Sequence, residues 1–253
     1  MQAPAIQQPV HAGHDVSCAP ASAQDGAAGY DLVMFDLDGT LADSLDFFLG
    51  VHHLLSAQYH FRPIAPHEVE QLRQRSAREI MTHVGLPGWK LPWVVRDFVR
   101  LMRRQGQQVG LFAGIAQVLR YLHEQGVQLA VVSSNSVENC QRILGADLCR
   151  LMAGMDGGAS LFGKRRRINR MLSRLGVRPS QAIYVGDQLS DAEAARAAGV
   201  AFGAVSWGYA APQALARAFP DTTFETVDAL RGLADLRRRS PGLPPTAAGT
   251  RTA

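Results

Sequence analysis

LVMFDLDGTLADS, residues 32–44, sets an uninterrupted apolar run against three carboxylates, a glycine and a string of small polar groups. A short apolar run bounded by turn residues reads as a strand buried on both faces. Asp36 and Asp38 come where that strand loosens into a glycine turn, so both carboxylates can face one small site. One can attack while the other moves a proton, and a cation can neutralise the pair. An isolated pair of this spacing before glycine is otherwise an ordinary solvated turn. The strand before it and Gly39-Thr40-Leu41 after it make the pattern far more specific.

Outward from this stretch the same arrangement recurs. VQLAVVS (127–133), AIYVGD (182–187) and VAFGAV (200–205) are further short apolar runs, the first two ending in polar groups ahead of a helical pattern. Strands alternating with helices predict an α/β chain whose parallel sheet carries helices on both faces, with its site beyond the carboxyl ends of the strands. At those ends stand Ser133, Ser134 and Asn135, where a hydroxyl and successive backbone N–H groups suit a phosphate. The same residues also suit plain helix capping, with Ser136 ahead of a helix over 137–144.

Lys164 follows Phe162-Gly163 and opens a helix over 165–175. Only two of the 26 basic residues are lysine, Lys90 and Lys164. A compact ammonium here, in a chain that otherwise writes arginine, fits a phosphoryl oxygen better than one more exposed charge. Asp187 ends the third strand and Asp191 comes one helical turn later, where it also suits the helix dipole. With Asp36 and Asp38 they make an oxygen-rich set of the kind Mg²⁺ prefers.

Residues 45–111 break the alternation. Their apolar positions recur at helical spacing between Pro63, Pro66, Pro87 and Pro92, which predicts an all-helical insertion without a strand. Trp89, Trp93 and Phe98 in it are expected to pack internally rather than form an interface.

The net charge of +4 points superficially to a polyanion partner, but five arginines after residue 230 against Asp235 account for it. No nucleic acid is expected. No apolar run reaches the roughly 18 residues of a membrane span, so no membrane is expected either. Cys18, Cys140 and Cys149 are too few for a disulfide framework, and a cytoplasmic location is the simplest expectation. Residues 1–29 and 237–253 read as flexible extensions.

FDLDGTLADS (35–44), LAVVSSNS (129–136), FGK (162–164) and YVGDQLSDAEAARAAGV (184–200), in this order, resemble the haloacid dehalogenase superfamily, in its phosphoglycolate phosphatase and β-phosphoglucomutase-like branch. The resemblance covers about residues 30–230. It implies a Rossmann-like parallel-sheet core (30–44 plus 112–236) and a helical cap of the C1 type inserted after the first strand (45–111).

It further implies that Asp36 is the nucleophile, forming an aspartyl phosphate, and that Asp38 is the general acid and then base. Lys164, Ser133, Ser134 and Asn135 would hold the phosphoryl oxygens. Mg²⁺ would sit on the Asp36 carboxylate, the Asp38 backbone carbonyl and Asp187, with Asp191 behind them. Phe112-Ala113-Gly114 resembles the hinge, with Gly106 and Gly110 as pivots, and Arg75, Arg78 and His52 are candidates for substrate contacts from the cap. The expected activity is hydrolysis of a small phosphorylated metabolite, phosphoglycolate-like, by a monomer or homodimer. A phosphosugar mutase and a non-enzymatic binding protein remain alternatives.

Overall fold

The computed structural model describes residues 30–105, 108–158 and 163–238. The N-terminal extension, the tail from residue 239, Gly106 and Phe162 lie outside them. In chain order the elements are β1 (Leu32–Phe35), β2 (Ala42–Asp43), α1 (Leu45–Tyr59), α2 (Val69–Leu72), α3 (Ala77–His83), α4 (Leu91–Gln105) and β3 (Gly110–Leu111). There follow α5 (Ile115–Glu124), β4 (Gln128–Ser133), α6 (Val137–Cys149), β5 (Met152–Gly157), α7 (Lys164–Leu175) and β6 (Ala182–Gly186). The last are α8 (Leu189–Ala198), β7 (Ala201–Val205), α9 (Pro212–Ala216), β8 (Thr222–Phe224) and α10 (Gly232–Arg238).

Six strands form a parallel sheet in the order β5-β4-β1-β6-β7-β8, so β1 lies between β4 and β6. Side chains alternate across a strand, and β1 uses both directions. Val33 and Phe35 join a core with Ile115, Leu119 and Leu122 of α5 and Ile143 of α6. Leu32 and Met34 join another with Ile168 and Met171 of α7 and Ala192 and Ala195 of α8. Burial on both faces explains why this strand is a continuous apolar run.

The helical segment enters and leaves side by side. β2 pairs antiparallel with β3, Ala42 opposite Leu111 and Asp43 opposite Gly110, and Phe112 N–H donates to Leu41 O at 3.0 Å. Helices α1 to α4 lie between these crossings around their own cluster of Val51, Leu55, Phe61, Val84 and Val94.

Three expectations need correction. Gly110–Leu111 is a strand inside the stretch read as all-helical, because two residues are too short to show a period. β5 and β8 were not anticipated: MAGMDG is rich in glycine and carries an acid at a sheet edge, where only one side must pair. Trp89 and Trp93 are 69% and 47% exposed and meet each other edge to face, while Phe98 alone of the three aromatics packs inward, against Phe47 and Phe48.

Candidate active site

Asp36 N–H still donates to Val185 O at 2.9 Å, so its side chain leaves from the last sheet-bonded position of the central strand. The chain then turns tightly, with the N–H groups of Leu41 and Ala42 both donating to Leu37 O. Gly39 sits in this turn at φ +78°, and a Cβ there would fall 2.3 Å from Asp187 Oδ2. Glycine is required on both counts. Leu37 is buried between the two acids, which leaves Asp36 and Asp38 projecting together.

The two carboxylates are held differently. Asp36 accepts from Leu37 N–H at 2.8 Å and from Lys164 Nζ at 2.7 Å. Asp38 accepts from two neutral groups among the described residues, Ser44 Oγ and Asn135 Nδ2, each at 2.9 Å. Burial, and then the Asp36 charge, push the Asp38 carboxyl up to about 6. A carboxyl poised there can carry a proton at neutral pH.

Lys164 opens α7 and is buried. Its ammonium bridges Asp36 and Asp191 and lies 5.7 Å from the centre of the Tyr184 ring. Burial alone would discharge it, but Asp191 and Asp36 outweigh that effect and hold it charged.

Asp187, fully buried, accepts from Thr40 Oγ1 at 3.0 Å and from Tyr209 N–H at 2.7 Å. Asp191 accepts the N–H groups of Asp187 and Gln188 at 3.1 and 3.0 Å, which closes the start of α8. Burial raises Asp187 well above the usual carboxylate range and Asp191 to about 6. Oxygens of Asp36, Asp187 and Asp191 lie within 4.8 Å of one another. Four carboxylates thus surround one ammonium in a low-dielectric pocket, and all the donor atoms are oxygen. This set fits a hard divalent cation, whose charge would offset the excess. The Asp38 carboxylate is not part of that trio.

Ser133 and Asn135 are buried beside the acids, and Asn135 N–H donates to Ser133 Oγ at 3.1 Å. Asn135 Oδ1 accepts in turn from Ser136 N–H and from Asn139 Nδ2. Ser136 caps α6 by accepting Asn139 N–H at 3.2 Å, as the sequence predicts. Ser134 lines the cavity above Asp38, as do Arg75 and His52. Arg78 is exposed on α3 and does not line that cavity.

Sequence reasoning missed four neighbours of the acids. Ser44 Oγ meets Tyr209 OH at 2.7 Å, Thr40 holds Asp187, and Trp207 Nε1 donates to Thr40 O at 3.1 Å. Trp207 and Tyr209 follow β7, so their place just after the fourth apolar run was an available signal. Arg73 in the helical layer gives Nε and Nη2 to the carbonyls of Tyr209 and Gly208, both at 3.1 Å, and ties that layer to the loop carrying Tyr209.

A family model described as haloacid dehalogenase-like hydrolase matches residues 33–205. A phosphoglycolate phosphatase of Synechococcus elongatus is 34% identical over 216 residues, which span 82% of this chain and 99% of that protein. One of Pseudomonas savastanoi pv. phaseolicola is 29% identical across 83% of this chain and 79% of its own length. Among solved structures, a haloacid dehalogenase-like family hydrolase of Streptococcus pneumoniae superposes with a TM-score of 0.64 at 20% identity, covering 79% of this chain and 95% of that one.

Proposed function

The chain belongs to the haloacid dehalogenase-like hydrolases, and we propose that it is a cytoplasmic Mg²⁺-dependent phosphatase of small phosphomonoesters, with phosphoglycolate, for which its relatives are named, the reference substrate. The observation that carries this reading is the unequal holding of two adjacent acids. Asp36 is paired with the Lys164 ammonium at 2.7 Å, and Asp38 is held by neutral donors with its carboxyl pushed up to about 6.

Asp36 attacks phosphorus as the ester P–O bond breaks, and Asp38 gives its proton to the departing alkoxide. Asp38 then takes a proton from the water that attacks the aspartyl phosphate, which releases phosphate and restores Asp36. Ser133, Ser134, Asn135 and Lys164 surround the phosphoryl oxygens. Lys164 also keeps the phosphate from being repelled by the acids. Asp36, Asp187 and the Asp38 carbonyl would hold Mg²⁺, with Asp191 behind them; when bound, the ion neutralises charge that builds on the phosphoryl oxygens.

Residues 45–111 act as a cap that docks on the core (30–44 plus 112–236), the β2–β3 ribbon and Phe112-Ala113-Gly114 being the hinge. The latch of Arg73 onto the 208–209 carbonyls supports this. Largely apolar walls in the cavity above Asp38 speak against a phosphosugar mutase, since a hexose would turn its hydroxyls toward hydrocarbon. Asp36→Asn tests the assignment: turnover of phosphomonoesters in Mg²⁺ falls by at least about 10⁴-fold, and retained activity removes Asp36 from the chemistry.

A further inference from the structure

Between the helical layer and the carboxyl edge of the sheet lies a cavity of about 260 Å³. Its floor is the reaction site, with Asp38, Ser134, Asn135 and Tyr209, and its walls come from α1 to α4. Twenty of its thirty lining residues are aliphatic or aromatic, Leu49, Ile80, Val95 and Phe98 among them. Protein interiors pack densely and leave few voids larger than a water molecule. An apolar space of this size that opens onto the proton-carrying acid is therefore a built feature.

Three of the four polar side chains on its helical walls, Arg73, His52 and Ser76, are already engaged. Arg73 is held by the Gly208 and Tyr209 carbonyls and by Glu70 at 3.0 Å. His52 is kept toward its neutral form by burial and packs its ring on Phe48 and Phe61. Ser76 donates its hydroxyl to Glu79 at 2.7 Å. The guanidinium of Arg75 reaches His83 Nδ1 at 3.5 Å, at the edge of a cluster that includes Glu68. A group entering past Asp38 meets hydrocarbon on most sides.

We propose that this cavity receives the alcohol portion of the substrate, and that this portion is an uncharged hydrocarbon, a medium-length alkyl chain or an aromatic ring, larger than glycolate. The inference rests on the phosphatase reading and adds the substrate class. Phosphoryl transfer then occurs at the mouth, where the ester oxygen faces Asp38, while the chain displaces water from the apolar walls. Such burial is worth roughly a fourfold gain in binding per methylene. In the n-alkyl series beyond ethyl the basicity of the leaving alkoxide barely changes, so the gain reports on the cavity and not on the bond broken.

The test is kcat/KM for methyl to hexyl phosphate with Mg²⁺, with phosphoglycolate assayed alongside. A rise on the order of 10³-fold along the series is expected, together with a flatter slope in Leu49→Gln, whose folding is checked by its thermal unfolding. A flat or falling series, with methyl phosphate or phosphoglycolate turned over, overturns the hydrocarbon assignment and leaves the phosphatase reading standing. An unchanged slope in a folded Leu49→Gln protein overturns it too. If no ester is turned over by the folded wild-type protein in Mg²⁺, the phosphatase reading itself fails, and the inference falls with it.

Discussion

The carboxyl edge of the sheet and the helical layer are held together on different scales. At the edge, the bonds that fix the acids join residues far apart in sequence: Lys164 to Asp36, Thr40 to Asp187, Asn135 to Asp38, Tyr209 to Ser44. In the helical layer the polar bonds are more local, as in Ser76 with Glu79, Arg62 with Glu68 and Tyr59 with Asp97. Sheet topology therefore determines the reaction geometry, and a slip of one strand would disperse it. The helical layer is held by bonds nearer in sequence and by an apolar cluster of its own.

The contrast breaks most sharply at Lys164. Lys164→Ala leaves Asp36 and Asp191 facing each other in a buried pocket. Turnover is expected to fall by about 10³-fold or more, and stability in chelator by about 3–5 kcal/mol. Added Mg²⁺ should restore part of that stability, as followed by thermal unfolding. A loss no larger than that of an exposed ion pair would mean the edge is no more tightly organised than the helical layer.

A smaller effect is expected where the two regions meet. Tyr209→Phe keeps the ring that packs 5.7 Å from Phe48 but removes the hydroxyl on Ser44, which in turn supports Asp38. Hydrolysis of an alkyl phosphate should slow by about tenfold. That of an ester of an acidic phenol, which needs little proton delivery, should slow less. Stability should change by about 1 kcal/mol or less. Equal slowing of both esters would place Tyr209 outside proton transfer.

The smallest change sharpens the helical side. The Asp97 carboxyl is held below its usual range by the Tyr59 hydroxyl, and by Arg96 and Arg100. A depressed carboxyl contributes stability that is fully present above its unfolded pKa and is lost as pH falls through the folded value. The unfolding midpoint of the wild type should therefore decline on acidification below about pH 4 by more than that of Asp97→Asn. Near neutrality the variant should be about 1 kcal/mol less stable, with its turnover within a factor of two. Parallel pH curves for the two proteins would show that Asp97 contributes nothing to this dependence.

Legibility in the sequence follows the same divide. β1, β4, β6 and β7 and the acids at their ends could be read because burial on both faces writes a local pattern, an apolar run ending abruptly in polar groups. Thr40 and Ser44 could not, because each matters through a partner that only folding brings near. β5 was hidden by its glycines, and β2 and β3 by their length. Apolar residues at helical spacing in α1 to α4 read as core, yet the same spacing serves residues that pack together, such as Val51, and residues that line a cavity, such as Ile80. Periodicity shows which face of a helix is apolar and not what that face touches.

The most direct test is the mass of the protein quenched in acid during turnover of a phosphomonoester in Mg²⁺. One added phosphoryl group on the peptide carrying Asp36, absent from Asp36→Asn, is the predicted result. No adduct under conditions of rapid turnover and slow intermediate hydrolysis, or an adduct on any other residue, would contradict the account.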